Sequence, residues 1–243
     1  MLRLVTLGGL SLTDASGTAV AAQRRRLALL ALLAPAGERG VTRDKLVGYL
    51  WPEHPPEAAR HALEQLVYYL RRQVSDELFV GPDPLRLSPA AVGVDVLGFE
   101  RALASDETAR AIALYKGPFL DGFYLTAGGE FESWAESHRA RLAAAHALAL
   151  KRQAERAREM GQHTAEIECW RTLSVVDPVD ARAALGLVRA LAAAGDLPGA
   201  IRQAKLYAER VWRDLRAPPD PAVSACVEEL RRAALERAEP RTK

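Results

Sequence analysis

The chain has 243 residues, of which 49% are hydrophobic and 26% are charged, so it is long and apolar enough to bury one or two cores. Its 33 basic and 31 acidic side chains leave a net charge of +2, which excludes a protein that is polybasic throughout. Two cysteines, Cys169 and Cys226, are too few for a disulfide scaffold or a thiolate zinc site. The longest strongly apolar stretch, Leu27–Ala34, is too short to span a bilayer, and we predict a cytoplasmic protein with no membrane partner.

The first part of the chain carries the strand signals. Leucines that alternate around Gly8-Gly9 predict a strand pair, and two short apolar runs on either side of Gly81-Pro82-Asp83-Pro84 predict a hairpin. Apolar periodicity predicts three helices between these strands, at about 23–34, 42–50 and 55–74. Strands, three helices and a hairpin, in this order, are typical of a winged helix-turn-helix. We therefore predict a winged-helix DNA-binding domain over residues 1–93.

The remainder of the chain is rich in alanine and poor in β-branched runs, which predicts helices throughout. Two of the helical segments repeat with a period of 34 residues, marked by Gly161 and Gly195. This period, with glycine at the turn between helices, matches the tetratricopeptide template. We predict an all-α, tetratricopeptide-like domain over residues 94–243. The expected fold class is therefore mainly α, with an N-terminal winged helix that has a small β-sheet and a wing hairpin.

Large apolar residues of the helical domain recur at helical spacing. Because each repeat must stack on its neighbour to bury its apolar face, we predict that most of them are core residues. They are Trp134, Leu142, Leu148, Trp170, Leu173, Leu187, Leu191, Ile201 and Tyr207.

No arrangement of side chains in this sequence predicts catalysis. Gly8-Gly9 has neither the spacing nor the Lys-Ser/Thr pair of a phosphate-binding loop. The five histidines are scattered, and His138 and His146 lack a carboxylate or cysteine that would complete a metal site. We predict a protein that is not an enzyme and that uses no metal or cofactor.

The third predicted helix carries hydrogen-bonding side chains opposite its apolar stripe. They are Arg60, His61, Glu64, Gln65, Tyr68, Arg71 and Arg72. Side chains of these types contact base edges and phosphates, whereas the alternative interpretation is the solvated face of an ordinary amphipathic helix. In a winged helix this face would contact DNA, with Thr42 and Arg43 holding a phosphate at the start of the preceding helix. Arg86 in the hairpin would reach a neighbouring groove.

Six runs of the sequence, taken in order, resemble a known family. They are RRRLALLALLA at Arg24–Ala34, VTRDKLVGYLWP at Val41–Pro52, PPEAARHALEQLVYYLRR at Pro55–Arg72, ALYKGPFLDGF at Ala113–Phe123, FESWAESHRARL at Phe131–Leu142 and PDPAVSACVEELRR at Pro219–Arg232. Together they are similar to the bacterial activators of the Streptomyces antibiotic regulatory protein type. Those proteins join an OmpR-like winged helix to a bacterial transcriptional activator domain.

The resemblance implies a transcriptional regulator, most often an activator, that binds promoter DNA as two protomers on direct repeats. It also implies that the loop before the recognition helix, with Trp51, Glu53 and His54, faces RNA polymerase. The family often has a Ser/Arg-like pair where this chain has Tyr68-Tyr69, and a Gln where it has Glu64. These departures remove positive charge from the surface that would contact DNA.

Two other functions fit the sequence. The chain would serve as a helical-repeat scaffold for a protein partner without binding DNA, or as the regulatory part of an enzyme whose catalytic groups lie elsewhere. Exposure of the outer face of the third helix distinguishes the regulator from the scaffold, which would bury or cover that face. The given sequence ends at Lys243 without an ATPase or forkhead-associated motif. We therefore expect a signal to act through the helical domain or through the expression level.

Overall fold

The computed structural model describes residues 1–21, 23–125 and 129–238, and it divides into two compact units, Met1–His146 and Ala147–Lys243. Most of the described residues are helical, and strands occur only in the first unit. The predicted fold class, a winged helix followed by a helical domain, is confirmed. The predicted domain boundary between residues 93 and 94 falls inside the first unit and stays a prediction.

A four-stranded sheet lies at the start of the first unit. Its strands are β1 (Leu2–Val5), β2 (Ser11–Thr13), β3 (Ala19–Ala21) and β6 (Val92–Val94), in the order β3-β2-β1-β6. β1 is antiparallel to β2 and parallel to β6, so that Leu4 lies opposite both Leu12 and Val94. The sequence did not predict β6, because its three residues include Gly93 and its partner strand is about 90 residues away.

Three helices and a short hairpin complete the winged helix. The elements are α1 (Arg24–Leu33), α2 (Arg43–Leu50), α3 (Pro56–Gln73), β4 (Phe79–Val80) and β5 (Arg86–Leu87). All three predicted helices are confirmed within about two residues at each end. α3 begins with Pro56 at its first position, which suits proline because that N–H has no partner inside a helix. Its predicted apolar stripe is buried from Ala59 to Leu70, while Val74 lies half-buried just after the helix.

The first unit continues with three further helices and a turn rich in aromatic residues. The helices are α4 (Asp95–Ala104), α5 (Thr108–Leu114) and α6 (Gly129–Glu159). In the turn between α5 and α6, the carbonyl oxygens of Phe119, Leu120 and Phe123 accept hydrogen bonds of 2.9 to 3.4 Å from the guanidinium of Arg139. The Phe119 ring is fully buried and packs edge-on against Trp134, with their centroids 5.7 Å apart. One arginine of α6 therefore holds the turn whose aromatic rings fill this part of the core.

The carboxylate of Asp95, at the start of α4, joins this helix to the segment that follows β1. It accepts hydrogen bonds from the backbone N–H groups of Thr6 and Leu7, both at 2.9 Å, and from the Thr6 hydroxyl at 2.6 Å. Thr6 is completely buried, and its carbonyl oxygen accepts a hydrogen bond from Leu120 N–H at 2.8 Å. The chain after β1 is thus held by α4 on one side and by the aromatic turn on the other.

The second unit consists of paired helices. These are the end of α6, then α7 (His163–Val176), α8 (Ala181–Ala193), α9 (Leu197–Leu215) and α10 (Pro221–Ala238). Gly161 and Gly195 adopt φ values of 67° and 85° at the turns before α7 and α9, which glycine tolerates without strain. Asp180 and Asp196 accept hydrogen bonds from backbone N–H groups at the starts of α8 and α9. The sequence repeat therefore marks two equivalent turns. None of the described helices is both long and apolar enough to cross a membrane.

Most of the predicted core residues of the helical region are buried or half-buried. Leu142, Leu173, Leu187, Leu191 and Tyr207 are buried. Trp134, Trp170 and Ile201 are half-buried. The prediction was wrong for Leu148, which is 50% exposed. Leu148 lies six residues after Leu142 and two before Leu150, so it points away from the side of α6 on which these two leucines are buried.

We expect Asp95→Ala to lower the free energy of unfolding by about 3 kcal/mol, because it leaves two N–H groups and a buried hydroxyl without their acceptor. Urea unfolding followed by tryptophan fluorescence measures the change. Asp76→Ala, at an exposed aspartate in the same unit, is the control. An unfolding midpoint of Asp95→Ala equal to that of the parent would contradict this role of the carboxylate.

A second prediction concerns Gly186 in α8. A Cβ atom at this position would lie 2.5 Å from Cδ2 of Trp170, so Gly186→Ala should destabilise the second unit by about 1–3 kcal/mol despite the better helix propensity of alanine. Gly48→Ala is the matched control: Gly48 is also helical, a Cβ there meets nothing within 4 Å, and the change should stabilise by about 0.5–1 kcal/mol. Differential scanning calorimetry measures both effects. If Gly186→Ala is as stabilising as Gly48→Ala, the Trp170 ring does not pack on Gly186.

Candidate nucleic-acid interface

α3 presents a polar stripe to solvent. His61, Gln65, Tyr68 and Arg72 follow one another at spacings of four, three and four residues, so they lie along one line of the helix. All four side chains are exposed, and Tyr68 retains 61% of its accessible surface. Gln65 and His61 share a side-chain hydrogen bond of 3.3 Å. The stripe lies opposite the apolar residues of α3, whose burial fixes the direction in which it points.

Arg60, Glu64 and Arg71 lie on one flank of this stripe. Arg60 and Arg71 are eleven residues apart, which is close to three helical turns, so both project from the same flank. Arg72 is one residue further along and belongs to the central stripe. The Arg60 guanidinium pairs with Asp44 of α2 at 3.1 Å, and both side chains are largely exposed. Such an exposed pair contributes little stability and leaves Arg60 accessible.

The arginines at the start of α1 are engaged with aromatic rings. The guanidinium carbon of Arg26 lies 5.2 Å from the centroid of Tyr69, and its Nη1 donates to Gln73 Oε1 at 2.7 Å. Arg24 and Arg25 lie over Phe123 and Trp51, at 5.5 and 5.7 Å from the ring centroids. The sequence did not predict this packing, because each ring comes from a distant part of the chain.

The start of α2 is bound to the wing, the hairpin formed by β4, β5 and their connecting turn. The backbone N–H of Arg43 donates to Asp83 Oδ1 at 3.0 Å, and its Nε donates to the carbonyl oxygen of Pro82 at 2.8 Å. A carboxylate of this chain therefore occupies the position at which sequence analysis placed a phosphate. The Thr42 side chain is exposed and makes no capping hydrogen bond. The site at Thr42 and Arg43 thus needs a correction: Asp83 already uses the Arg43 N–H.

Arg86 of the wing contacts the turn between α1 and α2. It is half-buried, and its Nη1 donates to the carbonyl oxygen of Glu38 at 3.4 Å. Its Cγ lies so close to Gly40 that a Cβ atom there would approach to 2.5 Å. The contact of Arg86 with a neighbouring groove of DNA stays a prediction.

The loop before α3 is exposed apart from its tryptophan. Trp51 is only 6% exposed and belongs to the core, so its ring is not offered to a partner. This corrects the expectation that it faces the polymerase, because the end of α2 places the ring inside the unit. Glu53 and His54 are both exposed. Of the three residues assigned to this loop by the resemblance, two are accessible.

Within the described ranges, no cluster of three His, Cys, Asp or Glu side chains has metal-binding geometry. The imidazole of His146 stacks on Tyr115 with a centroid distance of 4.1 Å, and burial lowers the pKa of His146 below its ordinary value. Burial also lowers the pKa of His138, which packs against Phe119 and Trp134. These histidines serve packing.

Two families match the chain. The bacterial transcriptional activator domain matches residues 98–231, and the C-terminal domain of transcriptional regulatory proteins matches residues 17–83. The chain belongs to the bacterial transcriptional activator domain family. This regulator combines that domain with a DNA-binding winged helix, which confirms the resemblance to the Streptomyces antibiotic regulatory proteins. A search of curated proteins gave no match.

A solved structure with a similar fold covers nearly the whole chain. The structure of Mycobacterium tuberculosis EmbR in complex with a low-affinity phosphopeptide matches 96% of this chain at 24% identity, with a TM-score of 0.65. The regulator spans 65% of that EmbR chain. The tetratricopeptide domain of Sgt2 from Aspergillus fumigatus matches 61% of this chain and 85% of its own at 24% identity, with a TM-score of 0.35.

Proposed function

We propose that this regulator is an activator that binds specific promoter sequences by inserting α3 into the major groove of double-stranded DNA. The observation that carries the proposal is the exposed stripe of His61, Gln65, Tyr68 and Arg72 on the third helix of a winged helix. The stripe extends about 16 Å along the helix axis, at about 1.5 Å per residue. This length suits the reach of one recognition helix along a few base pairs.

The side chains of α3 divide into two roles. Gln65 matches the donor and acceptor pattern of adenine, and Glu64 would accept from the amino group of cytosine. Arg60 and Arg71 on the flank, and Arg72 at the end of the stripe, would contact phosphates, which position the helix without selecting a sequence. Tyr68 adds an exposed ring with a hydroxyl that donates or accepts a hydrogen bond.

The small net charge of the winged helix suggests that two protomers bind DNA together. Residues 1–93 contain 11 basic and 9 acidic side chains, while the other residues contain 22 of each. A net charge of +2 gives one copy weak affinity for the phosphate backbone. We propose that two protomers bind direct repeats and combine their affinities. Promoter binding also implies that the regulator acts in the bacterial cytoplasm.

We further propose that the loop at Glu53 and His54 contacts RNA polymerase. Both side chains are exposed directly before α3, and the buried Trp51 anchors the loop to the core. A helical-repeat scaffold without DNA binding is the alternative function. The exposed outer face of α3 supports the regulator over the scaffold, since a scaffold would bury or cover it.

We expect Arg71→Ala and Arg72→Ala each to weaken DNA binding and to reduce the slope of log K against log salt by about one unit, because each loses one cationic contact. Gln65→Ala should instead change the preferred base at one position, by about 1–3 kcal/mol. The measurement is fluorescence anisotropy over a salt series, on a site selected from genomic DNA and on its single-base variants. Selection should return two half-sites in the same orientation.

The control is Arg110→Ala, an exposed arginine of α5 outside the winged helix, which should bind DNA like the parent. If Arg71→Ala and Arg72→Ala both bind like the parent at every salt concentration, α3 does not lie in the groove. The scaffold function would then be preferred.

The polymerase contact is tested by Glu53→Lys and His54→Ala. We expect transcription from the selected promoter to fall several-fold in vitro while the affinity for that promoter stays within about twofold of the parent, because neither residue lies on α3. Glu57→Lys, in the first turn of α3, is the charge-matched control. Full activation by both loop variants would contradict the contact.

A further inference from the structure

A pocket of about 570 Å³ opens on the first unit, away from the polar stripe of α3. Its walls come from the wing, from the turn after α1, from β6 and from α4. Val80, Leu33, Val92, Val94 and Leu97 make most of this lining apolar. The volume falls within the range of roughly 300–1,000 Å³ that is usual for small-molecule sites.

Arg86 supplies a positive charge to the wall of this pocket. Its side chain is held in place, since its Cγ packs on Gly40 and its Nη2 would lie 3.6 Å from a Cβ at Gly81. The guanidinium has five N–H donors, and among the described residues it donates one hydrogen bond, of 3.4 Å, to the Glu38 carbonyl. Among the described residues it forms no ion pair. A half-buried cation with unused donors therefore borders an apolar cavity.

The other charges around the pocket leave Arg86 without an acidic partner. Glu100 already pairs with Arg141 at 2.8 Å. Arg101 adds a second cation to the lining, and its Nε donates to the Leu97 carbonyl of its own helix. Glu38 is exposed to solvent. The lining is thus complementary to a molecule that is apolar along most of its length and anionic at one end.

We propose that this pocket binds a small amphipathic molecule with an apolar ring body and one carboxylate or similar anionic group. The apolar body would fill the space beside Leu97 and Val92, and the anion would accept hydrogen bonds from Arg86. A charge-assisted contact of this kind is stronger than a neutral hydrogen bond and fixes the orientation of the ligand. Because its walls belong to both the wing and α4, the occupied pocket ties these two elements together.

The test uses two fluorescent dyes that share one ring system. 8-Anilinonaphthalene-1-sulfonate carries an anion, and N-phenyl-1-naphthylamine lacks it. We expect one anionic dye per chain, bound at least about tenfold more tightly than the neutral dye, which is the value of a hydrogen-bonded charge. Arg86→Met should remove this difference and leave the affinity for the neutral dye unchanged. Arg39→Met, at an exposed arginine of the same turn region, should behave like the parent.

A second variant tests whether the dye occupies this pocket. A Cβ at Gly93 would make an ordinary contact, 3.5 Å from Cε of Met1, so Gly93→Leu can fill the pocket without a clash at the backbone. It should abolish the binding of both dyes while the melting temperature shows a folded protein. Val80→Trp, on the exposed wing strand at the same pocket, replaces it if Gly93→Leu does not fold.

Three outcomes would overturn the proposal. They are binding of the anionic dye to Arg86→Met with the affinity of the parent, binding of both dyes to the pocket-filled variant, and dimerisation of the parent that Gly93→Leu abolishes. The last would assign the pocket to a second copy of this chain. No step of the experiment uses DNA, so its result does not depend on the proposed promoter binding.

Discussion

The carboxylate of Asp95 is the interaction on which the first unit depends. It lies at the start of α4, yet its hydrogen bonds go to the segment after β1, where Thr6 is completely buried and has no access to water. Buried N–H groups need an acceptor, and here a charged one supplies it. The same segment bonds to the aromatic turn through Leu120. Consequently the winged helix and the first helices of the activator domain form a single compact unit.

The packing of the first unit determines which of its arginines remain accessible to a partner. Arg24, Arg25 and Arg26 pack over aromatic rings, and Arg43 is bound to the turn of the wing. The cations on α3 are exposed, because the apolar side of that helix is fully used by the core. The exposed face of α3 is therefore compact and only weakly charged. The proposed binding of two protomers would compensate for this weak charge.

Sequence patterns predicted correctly those features whose physical cause lies in neighbouring residues. The apolar stripe of α3, the proline at its start and the glycines at 161 and 195 each act within one or two turns of chain, so sequence spacing was sufficient. The same reasoning placed the wing hairpin. It failed for β6, which is short, contains Gly93 and pairs with a strand about 90 residues earlier. It also failed for Leu148, which lies six residues after the buried Leu142, because six residues do not bring a helix back to the same side.

The sequence by itself determined the fold class, the helical order and the identity of the face of α3 that meets solvent, since these follow from periodicity and from turn residues. Tertiary structure decided which of the polar residues on other elements are accessible. Trp51 is buried, Asp83 occupies the start of α2, and Arg86 borders a pocket beside α4. The physical reason is that the availability of a charge or ring depends on what packs against it, and those partners lie 26 to 99 residues away in sequence.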